Sequence, residues 1–191
     1  MKKFSKIAMV VLVLSISCKS YKSITITKAQ QFNDIWKKDM QKADQKGIDE
    51  LVNKYKVKSS TIKFSSDSAL YYTTDNNLVL ASIYYDANPP KISFEERFKG
   101  IKGVHNELDY GFKLISYAGQ QKGADWIYTI EYTDRDNPDK YRYFYMETYV
   151  NTRAVRAEIL TDPAHRDKAI TLVNTFTQSL MNVTLDLTPN N

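Results

Sequence analysis

The stretch "VRAEILTDPAHRDKAITLVNTFTQSL", residues 155–180, passes from a β-prone run into an amphipathic helical pattern. Residues 154–160 have the composition of a strand. Asp162 is a suitable N-cap, and Pro163 suits the first helical position because its missing N–H needs no partner there. We therefore predict a helix that runs to about Asn182. The residues expected to face inward are Ala169, Leu172, Val173, Phe176 and Leu180.

The residues before this stretch alternate between apolar and polar side chains at a period near two, which is typical of strands. The predicted strands are 60–64, 69–73, 78–85, 112–117, 125–133, 141–150 and 154–160. Residues 134–139 are expected to form a hairpin turn, since they are turn formers between two β-prone runs.

Two more helices are predicted from capping boxes, in which a hydroxyl residue is followed three positions later by Gln or Glu. One box is Thr27 with Gln30, and it begins one bent helix or two short helices that extend to about Tyr55. The other is Ser93 with Glu96, and it begins a short helix. The apolar residues at helical spacing are Phe32, Ile35, Trp36, Met40 and Ala43 in the first segment, and Phe94, Phe98 and Ile101 in the second.

This order of elements predicts an α+β fold. We expect an antiparallel sheet of about six or seven strands, flanked by N-terminal, middle and C-terminal helices, because most of the strand connections are short. Residues 78–180 are similar in layout to the PsbP-like domains of photosystem extrinsic proteins and to bacterial DcrB-like and LpqN-like lipoproteins. Residues 155–180 resemble the ending of that family. The long leading helix departs from the family pattern.

The first seventeen residues have the three parts of an export signal. Lys2, Lys3 and Lys6 form a basic start, residues 7–14 are an unbroken apolar run, and residues 15–17 are a short stretch suited to a peptidase. Eight apolar residues are too few for a transmembrane helix, which needs about 20. We predict a signal peptide that is cleaved after residue 17.

Cys18 is the only cysteine and follows this signal directly. The arrangement resembles the lipobox of bacterial lipoproteins, although Ser15 occupies the position where leucine is commonest. The resemblance implies lipidation of Cys18 with three acyl chains, palmitate among them, which exceeds what stable anchoring requires. No Asp follows Cys18, which by the same resemblance favours the outer membrane, and no acidic cluster follows either, which favours the periplasmic face. The alternative is an ordinary secretory signal that leaves Cys18 as a free thiol.

These features divide the chain into a signal peptide (1–17), a tether (18–26), one α+β domain (27–185) and a tail (186–191). The net charge of +5 falls to +2 when the three lysines of the signal are removed. Lys and Arg are dispersed among Asp and Glu, so the composition argues against nucleic-acid binding. With its one cysteine lipidated, the domain has no internal disulfide, and 14 Tyr, 8 Phe and 2 Trp indicate an aromatic core.

No familiar catalytic spacing is present in the sequence. His105 and His165 are the only histidines, and neither lies in H-E-x-x-H, nor does a serine lie in G-x-S-x-G. His105, near Glu107 and Asp109, could belong to a metal site, but a histidine that ends a helix is the commoner case. We therefore expect no catalytic residues, no cofactor and no enzymatic activity.

Asp134, Asp136 and Asp139 recur at a spacing that suggests a calcium loop. An EF-hand loop counted from Asp134 needs glycine at its sixth position and glutamate at its twelfth. This sequence has Asp139 and Tyr145 there. A hairpin turn is therefore the preferred interpretation, and no metal ligand is predicted.

The stretch "YRYFYMETY", residues 141–149, carries the strongest local pattern. Alternation in a strand places Tyr141, Tyr143, Tyr145 and Tyr149 on one face together with Glu147. The tyrosines either pack within the fold, stacking across the sheet on Trp126, Tyr128 and Tyr132, or form a binding face for a glycan or a protein partner.

The function expected from these patterns is that of a non-catalytic envelope lipoprotein, anchored to the membrane by lipid, which binds a protein partner or supports an assembly. One alternative is an immunity-type lipoprotein that neutralises a toxin. A second is a lipoprotein that binds a small ligand or a glycan through the tyrosines. A third is a hydrolase in which a histidine meets a carboxylate and a hydroxyl.

Overall fold

The computed structural model describes residues 35–36, 41–42, 46, 53–54, 70–73, 79–86, 93–99 and 111–189. The strands are β1 (Gln41–Lys42), β2 (Leu70–Thr73), β3 (Val79–Asp86), β4 (Phe112–Lys122), β5 (Asp125–Asp134), β6 (Arg142–Val150) and β7 (Arg153–Thr161). A short helix spans residues 94–99. A 3₁₀ turn, Pro163–His165, leads into the C-terminal helix, Arg166–Met181.

The described strands form one antiparallel sheet with the order β1-β2-β3-β7-β6-β5-β4. Strand β7 lies between β3 and β6 and pairs along its whole length with β3, from Val79 opposite Thr161 to Asp86 opposite Ala154. The structure confirms the expected α+β fold class, the antiparallel sheet and the C-terminal helix. The predicted strand at 60–64 lies outside the described residues.

The leading helix predicted from Thr27 is wrong at Gln41–Lys42, which form strand β1 and pair with Thr73 and Tyr72 of β2. A helical spacing of apolar residues is a weak preference, and pairing with a neighbouring strand satisfies the backbone just as well. Lys46 and residues 53–54 are helical. The capping box at Thr27 lies outside the described part of the chain.

The C-terminal helix lies across one face of the sheet, against β5, β6 and β7. Its five predicted inward residues are all buried. Together with the residues that they cover they form the helix-side core, whose members on the sheet are Ile127, Phe144, Met146, Val150, Val155, Ala157 and Ile159. Asp162 caps the 3₁₀ turn by accepting a 3.1 Å hydrogen bond from the His165 N–H, which confirms the predicted start.

An extended segment follows the helix and closes the side of this core. Val183, Leu185 and Leu187 are buried, while the residues between them are exposed. The Thr177 hydroxyl donates to the Val183 carbonyl at 2.7 Å, and Arg166 Nη2 donates to the Leu187 carbonyl at 2.8 Å. The segment is therefore held both by apolar burial and by bonds from the helix.

Thr129 is a fully buried residue of β5 whose hydroxyl has no hydrogen-bond partner in the described part of the chain. An unpaired buried hydroxyl costs about 1–3 kcal/mol. Thr129→Val is therefore expected to raise the free energy of unfolding by about 1 kcal/mol, measured by urea unfolding. The matched control is Thr177→Val, which is expected to lower it by about as much, because Thr177 Oγ1 has two partners. If both variants lost the same free energy of unfolding, the Thr129 hydroxyl would not be an unpaired buried group.

The β6–β7 hairpin turns through Asn151 and Thr152, which have φ values of 52° and 63°. Positive φ at both positions is typical of a type I′ two-residue turn, but a β-branched residue is strained in this conformation. Thr152→Gly is expected to raise the free energy of unfolding by about 1 kcal/mol, seen as a higher melting temperature. Asn151→Gly is the control and is expected to change it less, because asparagine tolerates this conformation. A larger gain at Asn151 would refute the explanation by strain.

Within the described residues, no helix is both long enough and apolar enough to cross a membrane.

Candidate functional site

The face of the sheet opposite the C-terminal helix is covered by aromatic side chains and is called here the tyrosine face. Its buried members are Trp126, Tyr128, Ile130, Tyr132, Tyr141, Tyr143 and Leu160. The half-buried side chains packed against them are Phe94, Phe98, Phe112, Leu114, Tyr117, Tyr145 and Tyr149.

The tyrosines of β6 stack on the aromatic residues of β5. The rings of Trp126 and Tyr149 are 5.7 Å apart and inclined by 13°, and those of Tyr132 and Tyr143 are 5.9 Å apart and inclined by 21°. The predicted alternation along β6 and the predicted stacking across the sheet are confirmed. Since Tyr141 and Tyr143 are buried, Tyr145 and Tyr149 are the members of the predicted set that reach the surface.

Burial keeps the phenol groups of this face neutral. It raises the pKa of Tyr128, Tyr132, Tyr143 and Tyr145, and neighbouring tyrosines and glutamates raise the pKa of these groups further. The hydroxyl groups therefore act as hydrogen-bond donors across the physiological pH range. None of the four can serve as a phenolate base.

The short helix of residues 94–99 packs over the β4 side of the tyrosine face. Its predicted capping box is confirmed, since the Glu96 N–H donates to Ser93 Oγ at 3.2 Å and the Ser93 N–H donates to Glu96 Oε2 at 3.3 Å. Phe94 lies so close to Gly119 that an added Cβ would come within 2.9 Å of its ring. Glycine at this position therefore makes room for the helix.

Arg97 and Arg156 meet at one buried carboxylate on the tyrosine face. Arg97 Nε donates to Glu147 Oε2 at 2.8 Å, and Arg156 Nε donates to Glu147 Oε1 at 3.1 Å. The Tyr128 hydroxyl also donates to Oε2, and the Tyr145 hydroxyl lies 3.4 Å from that oxygen. The Glu147 side chain is 4% exposed, whereas those of Arg97 and Arg156 are 31% and 32% exposed. We call Arg97 and Arg156 together the arginine pair.

The charges of this group stabilise one another. Burial opposes ionisation of Glu147, but the Tyr128 hydrogen bond and the two guanidinium groups outweigh it and lower the pKa of the carboxyl group. Burial likewise disfavours the charged form of Arg97, yet the bond to Glu147 raises the pKa of its guanidinium. Glu147, Arg97 and Arg156 are therefore ionised at neutral pH, and these three groups together carry a net charge of +1.

The remaining candidates from the sequence lie elsewhere. His165 Nδ1 is 2.6 Å from Asp162 Oδ1 at the start of the C-terminal helix. Cys18 and His105 lie outside the described residues, as do Glu107 and Asp109. The hydrolase hypothesis is therefore untested at His105.

The 134–139 turn uses its first carboxylate to hold the loop. Asp134 Oδ1 accepts from the N–H groups of Asp136 and Asn137 at 3.0 and 3.1 Å, and Asp134 Oδ2 accepts from Lys140 Nζ at 2.9 Å. The hairpin turn is thus confirmed. In the described part of the chain, no three His, Cys, Asp or Glu residues are grouped so that they could hold a metal ion.

The sequence pattern did not indicate Arg97 or Arg156. It placed Glu147 on the face of the tyrosines, and a carboxylate among aromatic residues on a buried strand signals a need for a cation. Two residues could have supplied it: Arg97, between Phe94 and Phe98, and Arg156, which shares a face of β7 with Ala154 and Leu160. The local sequence pattern does not predict the sheet order that brings these arginines close to Glu147.

No family model matches this sequence, and no curated protein matches it. Among solved structures, the solution structure of cyanobacterial PsbP (CyanoP) from Synechocystis sp. PCC 6803 is similar, with a TM-score of 0.43 and 14% identity over 66% of this chain and 78% of that chain. The Ran-binding protein Mog1p of Saccharomyces cerevisiae gives a TM-score of 0.38 and 11% identity over 69% and 85% of the two chains. TM-scores this low carry no information on function or partners.

Proposed function

We propose that this chain is a bacterial envelope lipoprotein with a PsbP-like or DcrB-like domain that binds a protein partner through the tyrosine face and catalyses no reaction. The basic start, the short apolar run and Cys18 support the anchor. The order of strands and helices along residues 78–180 supports the grouping with these domains. The expected location is the outer membrane, with the domain facing the periplasm.

The observation that carries the binding role is the state of Tyr145 and Tyr149. Both rings are half-buried, and each packs against a ring on the neighbouring strand β5. Tyr145 packs against Tyr128, and Tyr149 packs against Trp126. Because the stacks restrict the rings before any partner arrives, little side-chain entropy is lost on binding. Tyrosine and arginine are also the residues that most often dominate protein interfaces, and the arginine pair lies close to Tyr145, because both contact Glu147.

Photo-crosslinking tests this role. A photoreactive benzoylphenylalanine replaces Tyr149 in one form of the full chain and the exposed helix residue Thr171 in a control form. We expect irradiation of intact cells to give one discrete adduct from position 149 and none from position 171. The adduct is expected to weaken when Tyr145→Ala is added, since that residue supports the same surface. Equal labelling from both positions, or none from position 149, would refute the binding role.

Mass spectrometry of the native protein tests the anchor. The expected N-terminal residue is Cys18 carrying a diacylglyceryl group and an amide-linked acyl chain, and Cys18→Ser is expected to release the chain from the membrane fraction. A free thiol at Cys18 or an intact leader would exclude a lipoprotein.

A further inference from the structure

Glu147 accepts hydrogen bonds from only some of the N–H donors of each guanidinium in the arginine pair. Arg97 and Arg156 donate to the carboxylate through Nε, at 2.8 and 3.1 Å. No hydrogen bond from Nη1 or Nη2 of either residue occurs within the described structure, and both side chains are about one-third exposed. Among the described residues the Nη groups therefore have no acceptor, while the Nε atoms are held by Glu147.

Glu147 carries one negative charge, so it balances only one of the two guanidinium groups that it binds. Glu158, the other glutamate on this face, is 8% exposed, and it helps to raise the pKa of the Tyr143 hydroxyl. Burial and the nearby Arg97 lower the pKa of the Arg156 guanidinium, but Tyr145 and Glu147 outweigh them and raise it. Two cations held close together by a single buried anion form a prepared site for a second anion.

We propose that the Nη groups of Arg97 and Arg156 bind a carboxylate, supplied by an Asp or Glu side chain of the protein partner. This proposal rests on the proposed function of the tyrosine face. Planar guanidinium groups match the two oxygens of a carboxylate, and pairs of this kind are stronger than neutral hydrogen bonds. The half-buried rings of Tyr145 and Tyr149 give the apolar part of an acidic side chain a surface to pack on.

The chemistry is tested directly with small anions on the full chain in detergent micelles. The chain carries ¹⁵N-labelled arginine and is titrated with glutarate, and separately with inorganic phosphate, at constant ionic strength set by chloride. Glutarate is expected to shift the Nε–Hε signals of Arg97 and Arg156 saturably. Arg97→Lys and Arg156→Lys, which keep the charge but lose the planar fork, are each expected to weaken binding about tenfold. The control Arg135→Lys, in the 134–139 turn, is expected to leave binding unchanged.

Two results would overturn the proposal: no saturable shift with glutarate, or saturation by phosphate alone, which would indicate a phosphate ligand instead. Circular dichroism of each lysine variant verifies the fold, and either variant suffices if the other unfolds. In cells, Arg97→Lys is expected to reduce the adduct from position 149 severalfold. An unchanged adduct would refute the carboxylate contact and leave the binding role intact, whereas no adduct in the parent chain would refute the binding role itself.

Discussion

Trp36→Ala is expected to lower the free energy of unfolding by about 4 kcal/mol, because truncation of a buried tryptophan leaves a large cavity. Trp36 is 0% exposed and belongs to the helix-side core. Its Nε1–H donates to the Leu172 carbonyl at 2.9 Å, and its ring lies 5.9 Å from that of Phe176. The residue therefore joins the N-terminal part of the chain to the middle of the C-terminal helix.

Urea unfolding followed by circular dichroism measures this loss. The matched control is Trp36→Phe, which keeps a ring but removes the hydrogen bond to Leu172, and a smaller loss of about 1–2 kcal/mol is expected. A loss below about 1 kcal/mol for Trp36→Ala would mean that Trp36 is not docked on the helix in solution.

Glu131→Gln is expected to lower the free energy of unfolding by about 3 kcal/mol. Removing one partner of a buried ion pair leaves the other partner with an uncompensated buried charge. Glu131 is 0% exposed and lies on the helix-covered face of β5. It accepts from Arg166 Nε at 2.7 Å and Nη2 at 2.6 Å, and from Ser116 Oγ at 2.6 Å. Arg142 Nε is a further 3.7 Å ion-pair contact.

The control for this variant is Asp136→Asn, the same change of charge in an exposed ion pair with Arg135. It is expected to change stability by less than about 0.5 kcal/mol, because exposed pairs contribute little. The comparison is made by urea unfolding of both variants. Similar losses would show that the environment of Glu131 is as solvated as that of Asp136, against the observed burial.

Where local chemistry alone decides the structure, the sequence was sufficient. Asp162 and Pro163 marked the start of the C-terminal helix because an N-cap and a first-turn proline act within a few residues. The alternation of residues 141–149 assigned the faces of β6 because successive side chains in a strand point to opposite sides. The box at Ser93 identified the short helix in the same way.

Contacts between distant segments were beyond the reach of such patterns. Strand β1 was expected to be helical, because apolar spacing cannot reveal that β2 offers a free edge to residues 41–42. Arg97 and Glu147 are 50 positions apart, and they meet because the short helix settles over Gly119 and β6 lies near the centre of the sheet. The tyrosines were visible in the sequence, whereas the cations beside them were not.

The central claim is that Glu147 is ionised within the tyrosine face and holds Arg97 and Arg156 in place. Its pKa is lower in the folded chain than the ordinary value of 4.5, so its contribution to stability is complete above that value. The contribution is lost as the pH falls through the folded pKa, when Glu147 takes up a proton.

Carbon-13 NMR of the Glu147 carboxyl group during an acid titration tests this claim most directly. The predicted result is a titration midpoint below 4.5, with the Nε–Hε signals of Arg97 and Arg156 changing at the same pH. A midpoint at or above 4.5, or arginine signals that do not change during the titration, would show that this carboxylate does not hold the two cations.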